Sequence, residues 1–175
     1  MERIRDAILR VRQLLQLKPE RGRRTVTTQV VMHGGLRCIV TDGSWTVPVD
    51  MSANTGGDGT SPDPGVYARA AIGACVAIAY RLWAAAEGIT LRDVAVEVQA
   101  DNDAAGLFGT ADVRPSYRAM RLLVSVTSDA DEAAVLRVLE QAEAHSPYLD
   151  LFRHGVPVDV TRTVRASAPL EGVTP

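Results

Sequence analysis

Two cysteines, Cys38 and Cys75, are all that the 175 residues contain, too few for the multi-bridge scaffold of a small secreted domain. Histidines are equally scarce. His33, His145 and His154 form no i, i+4 pair and accompany no Cys-x-x-Cys, so no metal site is expected, and no other cofactor. No apolar run is long enough for a membrane span: the longest covers residues 70–80, between Arg69 and Arg81, about half of the ~20 residues a spanning helix needs. A buried helix is expected there instead. No basic start followed by an apolar stretch and a cleavage site is present, so a cytoplasmic protein is expected. A strong excess of one charge is also missing. Nineteen Lys and Arg against 21 Asp and Glu give a net charge of −2, which argues against holding nucleic acid by an overall field. With 46% apolar residues and no biased tract, the chain has material for one globular domain, and a disordered, collagenous or solenoid chain is excluded.

What charge there is divides unevenly. Residues 1–24 carry eight Lys or Arg and three Asp or Glu, net +5, against 11 and 18, net −7, in the rest. Ile4, Ile8, Val11 and Leu15 recur at helical spacing, which predicts an amphipathic helix over residues 2–17, ended by Pro19 and Gly22. Residues 1–23 thus form a basic arm. Its stripe lacks an interfacial Trp or Phe, so packing on the domain or on a second copy is favoured over a membrane or nucleic acid. Three strands follow, at residues 25–33, 36–41 and 45–51, turned at Gly34-Gly35 and Asp42-Gly43. After a Gly- and Pro-rich stretch, Pro64 opens a helix at residues 66–87 that is apolar nearly all round and must lie centrally. Alternating strands are expected around Val94–Val98 and Met120–Val126, joined by a long excursion at residues 101–116. A helix opened by Ser128 and Asp131 should end near His145, because Pro147 follows. A last strand is expected at residues 156–164, then a flexible tail at residues 165–175. The order implies an α+β fold with helices covering one sheet face.

The chemistry-bearing residues are few. Gly56-Gly57-Asp58-Gly59 lacks the trailing Lys-Ser/Thr of a phosphate loop, and no Gly-x-Ser-x-Gly elbow occurs. Cys75 lies three turns into the apolar helix, where that helix's dipole has faded. At a thiol pKa near ~8.5, only about 3% would be ionised at neutral pH. Pattern alone therefore reads Cys75 as an inert core cysteine, reactive only with a cation beside it. Cys38, between Arg37 and Ile39, reads as structural.

The string GGDGTSPDPGVYARAAIGACVAIA at residues 56–79, followed by a hairpin, a capped helix, HSPY and GVPVDV, resembles the OsmC/Ohr family of thiol peroxidases over about residues 24–164. The resemblance implies an OsmC-like fold, an intertwined homodimer whose two long central helices pack behind antiparallel sheets, and active sites at the subunit interface. By the same resemblance Cys75 is the peroxidatic thiolate, held ionised by an arginine. Arg37 is the nearest match for that arginine and Arg69 a second. Two departures stand out. The family's resolving cysteine falls at Ser146, and its orienting glutamate falls at Gly65 or Val66.

Two readings of different classes follow. In the first, Cys75 reduces a small hydrophobic hydroperoxide and is recycled by an external thiol or lipoyl-type dithiol, or by Cys38, with Tyr67, Ile72 and Val76 around the alkyl chain. In the second, the dimer persists without catalysis and Cys75 packs or holds an apolar ligand. A further reading makes the basic arm a contact for acidic partners.

Overall fold

The computed structural model describes residues 2–165. Helix α1 spans Glu2–Leu17, as the spacing predicts. Three antiparallel strands follow: β1 Gln29–Met32, β2 Cys38–Asp42 and β3 Trp45–Val49, in the order β1-β2-β3. Asp42 pairs with Trp45 across a two-residue loop in which Gly43 has φ 54°, the positive value such hairpin turns demand. This outer sheet leaves Val30, Val31, Met32 and Trp45 exposed, the last at 75%.

Helix α2, Pro64–Ala86, is the centre of the domain. Asp63 caps it by accepting the Val66 amide at 3.0 Å, and Pro64 occupies the first turn, where its missing N–H costs nothing. By length and mean composition alone the 23-residue helix, Arg69 and Arg81 included, could cross a membrane, although its uncharged run covers only residues 70–80; here Ile72, Val76, Tyr80 and Ala84 are buried in the core. Strands β4 (Leu91–Asp101) and β5 (Ala119–Ser128) form a two-stranded antiparallel sheet. Val94, Val96, Val98, Met120, Leu122 and Val126 pack against that core. Helix α4, Glu132–Ala144, adds Val135, Val138, Leu139 and Ala142. Each fully buried branched side chain such as Ile72 contributes about 1.5–3 kcal/mol.

Four expectations change. Residues 155–165 form no strand, and Val156, Val158 and Val160 are 61%, 76% and 62% exposed. Their alternation is that of a strand, but among the described residues no strand pairs with them. The residue 101–116 excursion contains a short helix α3, Ala104–Phe108, capped by Asp103. Asp131, not Ser128, caps α4 by accepting the Ala134 amide at 3.0 Å, while Ser128 donates to the Thr90 carbonyl at 2.8 Å. Pro147 does not merely end α4; it opens a further helix, α5, over Pro147–His154. Of the expected tail, residues 166–175 lie outside the described residues.

The link from β3 to α2 is organised by Asp50, 1% exposed. Its carboxylate accepts the Met51 amide at 2.7 Å, the Thr60 amide at 3.0 Å and the Thr60 hydroxyl at 2.8 Å. The Thr60 amide and hydroxyl, with the Met51 amide, hold the Asp50 carboxyl below the usual carboxylate range, outweighing its burial. A carboxyl that ionises more readily when folded stabilises the fold above its unfolded pKa of about 3.9, and that contribution disappears as pH falls through the lowered folded value. Asp50→Asn should therefore lower the urea midpoint at pH 7 and lower it less at strongly acidic pH. Urea titrations of both proteins at the two pH values check this; a gap that widens on acidification contradicts it.

Candidate functional site

Cys75 is half-buried on α2. At about 100° per residue, it lies on one flank of the buried Ile72, Val76 and Tyr80 stripe, and Gly73 lies on the other. The Gly73 side is set by close approach: a Cβ there would stand 3.0 Å from Val98 Cγ2, so glycine lets α2 sit deep on β4. On the opposite flank the Cys75 sulfur meets Ser146, with Sγ 3.6 Å from Oγ. The two residues are 71 positions apart in sequence.

Ser146 is 2% exposed and is the N-cap of α5. Its Oγ accepts the Leu149 amide at 3.4 Å. A buried hydroxyl is costly unless bonded, and here it has a partner on each side. A hydroxyl at this distance from the sulfur cannot close a disulfide. Cys38 lies on β2, and both cysteines are free.

The two arginines considered from sequence stand elsewhere in one copy of the chain. Arg37 is exposed in the turn before β2. Arg69 points back toward the first turn of α2: its Nη1 donates to the Tyr117 hydroxyl at 3.3 Å, and Tyr117 donates to the Gly65 carbonyl at 3.3 Å. Cys75 lies six residues further along, about 120° around the axis. Among the described residues, neither guanidinium hydrogen-bonds to the sulfur. Gly65 is itself informative. A Cβ there would lie 3.0 Å from Arg69 Nη1, 3.0 Å from Asp63 Oδ1 and 3.1 Å from the Tyr117 hydroxyl. The space a side chain at this position would use is already taken by polar groups.

Tyr67, Ile72 and Val76, expected around an alkyl chain, each make contacts within the fold. Tyr67 donates to the Pro48 carbonyl at 2.6 Å, tying α2 to β3. Ile72 and Val76, each 1% exposed, line a groove of about 850 Å³ with Tyr80, Met120, Leu122 and Leu149; Cys75 is not among its lining residues. Tyr80 donates to Glu143 Oε1 at 2.7 Å. Burial first, and then the bond to the Glu143 carboxylate and its charge, push the Tyr80 phenol well above its ordinary value.

Sequence reading missed one stack beside this site. The Arg12 guanidinium lies 4.4 Å from the centre of the Trp83 ring, and the His145 ring lies 4.5 Å from Trp83. Helix α1 is thereby fixed on α2 through a cation–π contact, worth about 0.5–2 kcal/mol. His145 directly precedes Ser146, and its Nδ1 is 2.8 Å from the Gln141 carbonyl. The basic arm and the end of α4 thus meet on one indole.

A sequence model of the family described as OsmC-like protein matches residues 57–161. No curated protein matches the chain. Solved structures of low sequence identity share the fold. An OsmC-like protein from Mycoplasma pneumoniae aligns with a TM-score of 0.64 at 14% identity, covering 75% of this chain and 89% of its own. An organic hydroperoxide resistance protein from Elizabethkingia anophelis aligns at 0.57 and 18% identity, with coverages of 75% and 90%. One from Legionella pneumophila, described as OsmC and a predicted redox protein, aligns at 0.51 and 22%, with coverages of 75% and 91%. The family match covers Cys75, Ser146 and the helices that bring them together, and the chain belongs to the OsmC-like family.

Proposed function

We propose that the protein is a homodimeric, single-cysteine thiol peroxidase that reduces small hydrophobic organic hydroperoxides at Cys75. The observation that carries this reading is the pairing of a half-buried thiol with a hydroxyl 3.6 Å away. In the proposed step the Cys75 thiolate attacks the distal hydroperoxide oxygen. An S–O bond forms, the O–O bond breaks, and the alkoxide takes a proton and leaves as the alcohol. Cys75, oxidised by two electrons, becomes a sulfenic acid. Ser146 cannot resolve it, so an external lipoyl-type dithiol condenses with it. Water is released and a mixed disulfide forms; the second thiolate of the dithiol then expels Cys75 and leaves as a cyclic disulfide.

Dimerisation is supported by apolar surface left open in one copy. Val66, Ala70, Ala74 and Ile78 are exposed on α2, Ile78 at 60%. Beside them runs a groove of about 460 Å³ that also takes in Val96 and Val98 of β4. The outer sheet and residues 156–160 add further exposed valines. Exposed apolar surface on this scale marks an association site, and helices with small side chains there can approach closely. In such a dimer, Arg37 on the exposed turn before β2 is the guanidinium we assign to the partner's Cys75.

One observation favours the non-catalytic alternative, a dimer that holds an apolar ligand: among the described residues no cation hydrogen-bonds to Cys75. Turnover separates the two. With cumene hydroperoxide and a lipoyl-type dithiol, peroxide consumption should fall to the uncatalysed background in Cys75→Ser; equal rates for the variant and the wild-type protein refute the peroxidase.

The fate of the sulfenic acid supplies a second test. In the wild-type protein, dimedone should trap Cys75 after one equivalent of hydroperoxide. In Ser146→Cys a thiol stands where the hydroxyl stood, so trapping should be lost while mass spectrometry finds a bond between positions 75 and 146. Undiminished trapping in that variant counts against the proposed cycle.

A further inference from the structure

We propose that Ser146 is a positioning residue that donates a hydrogen bond to the Cys75 sulfur and holds it as a thiolate by delivering the positive end of α5 to it. The inference rests on the reading of Cys75 as a reactive thiol. It starts from the direction of the hydrogen bonds. The Leu149 amide donates to Ser146 Oγ at 3.4 Å, which uses an acceptor lone pair of the hydroxyl and leaves its hydrogen to go elsewhere. The sulfur, 3.6 Å away, is the remaining partner. A thiolate has no proton to give, so the hydroxyl must be the donor once Cys75 is ionised. Amide, hydroxyl and sulfur then form a chain of donors running one way, in which each bond polarises the next.

The origin of that chain matters. Cys75 lies too far along α2 to feel its own helix's N-terminus, because the effect fades within a turn. Ser146, however, is the N-cap of an eight-residue helix, so the sulfur stands next to the amide end of α5. Pro147 at the first position has no N–H, so it offers the sulfur no backbone donor of its own. Charged groups on the packed elements are engaged elsewhere. Glu143 accepts from Tyr80, Asp150 pairs with His154, His145 contacts the Gln141 carbonyl, Arg69 donates to Tyr117, and Arg12 covers Trp83. Among the described residues, Ser146 is therefore the donor offered to the sulfur.

Iodoacetamide alkylation of Cys75 at neutral pH, followed by peptide mapping, tests this without any hydroperoxide. A hydrogen bond to a charged group implies that Ser146→Ala should slow alkylation by about tenfold or more. Ser146→Thr keeps both hydroxyl and cap and should restore the wild-type rate. Ser146→Asp keeps the capping oxygen but has no proton to donate when ionised, and should react at least as slowly as Ser146→Ala. An Ala or Asp variant that alkylates as fast as the wild-type protein overturns the proposal. If Ser146→Ala does not fold, as thermal unfolding will tell, the Thr and Asp pair decides it, since both cap α5. A protein that turns over no hydroperoxide but still alkylates in a Ser146-dependent way refutes the peroxidase and leaves this inference standing. Normal turnover with Ser146-independent alkylation does the reverse.

Discussion

The depth at which α2 sits on β4 governs the rest of the molecule. Gly73 permits it, since a methyl group there would press on Val98, and the Ile72, Val76 and Tyr80 stripe then reaches between the sheet and α4. With that stripe turned inward, the rotation of α2 is no longer free. Cys75, on the opposite flank from Gly73, is carried to the start of α5, and Ala70, Ala74 and Ile78 are carried outward. Thus one packing contact sets both the surroundings of the thiol and the face left open. Packing this close in a protein interior leaves little room for adjustment.

One copy of the chain also looks unfinished, in a way that follows from its residues. The valines at 156, 158 and 160 alternate as a strand should, yet among the described residues no strand edge takes them. Both α2 and the outer sheet leave apolar side chains in water that a monomer of this size would normally cover. The proposed second copy answers these deficits together. It would give the alternating segment an edge, cover the small-residue groove of α2, and bring Arg37 toward a thiol to which no cation hydrogen-bonds among the described residues. In that arrangement folding and activation of the sulfur are two results of one association.

Much of the fold was legible because it is written locally. The stripe of Ile4, Ile8, Val11 and Leu15 marks α1, Pro64 marks the start of α2, and Asp42-Gly43 marks the β2–β3 hairpin. Helix α5 was missed for a specific reason: Pro147 was read as the end of one helix, although Ser146-Pro147 is also a capping residue followed by a first-turn proline, which opens the next. The site was far less readable. Arg69 and Tyr117 are 48 residues apart, Cys75 and Ser146 are 71, and Arg12 reaches Trp83 from the first helix. No local pattern encodes such encounters. Asp50 was invisible in the same way, because two of its three bonds come from Thr60 across the glycine-rich link.

The exchange of a thiol for a hydroxyl at position 146 changes the chemistry in a definite direction. A resolving thiol would convert the sulfenic acid rapidly into a bond within the protein and would make the next reductant act on a disulfide. A buried hydroxyl does neither, so in the proposed cycle the oxidised sulfur waits for a thiol from outside. That thiol must arrive by the side of Cys75 left unobstructed by α5, because Ser146, 2% exposed, closes the other. In the proposed dimer a second copy covering the exposed face of α2 would also help determine which reductants reach the sulfur. In the proposed cycle the hydroxyl at position 146 thus leaves the choice of reductant to the thiol that reaches the sulfur from outside.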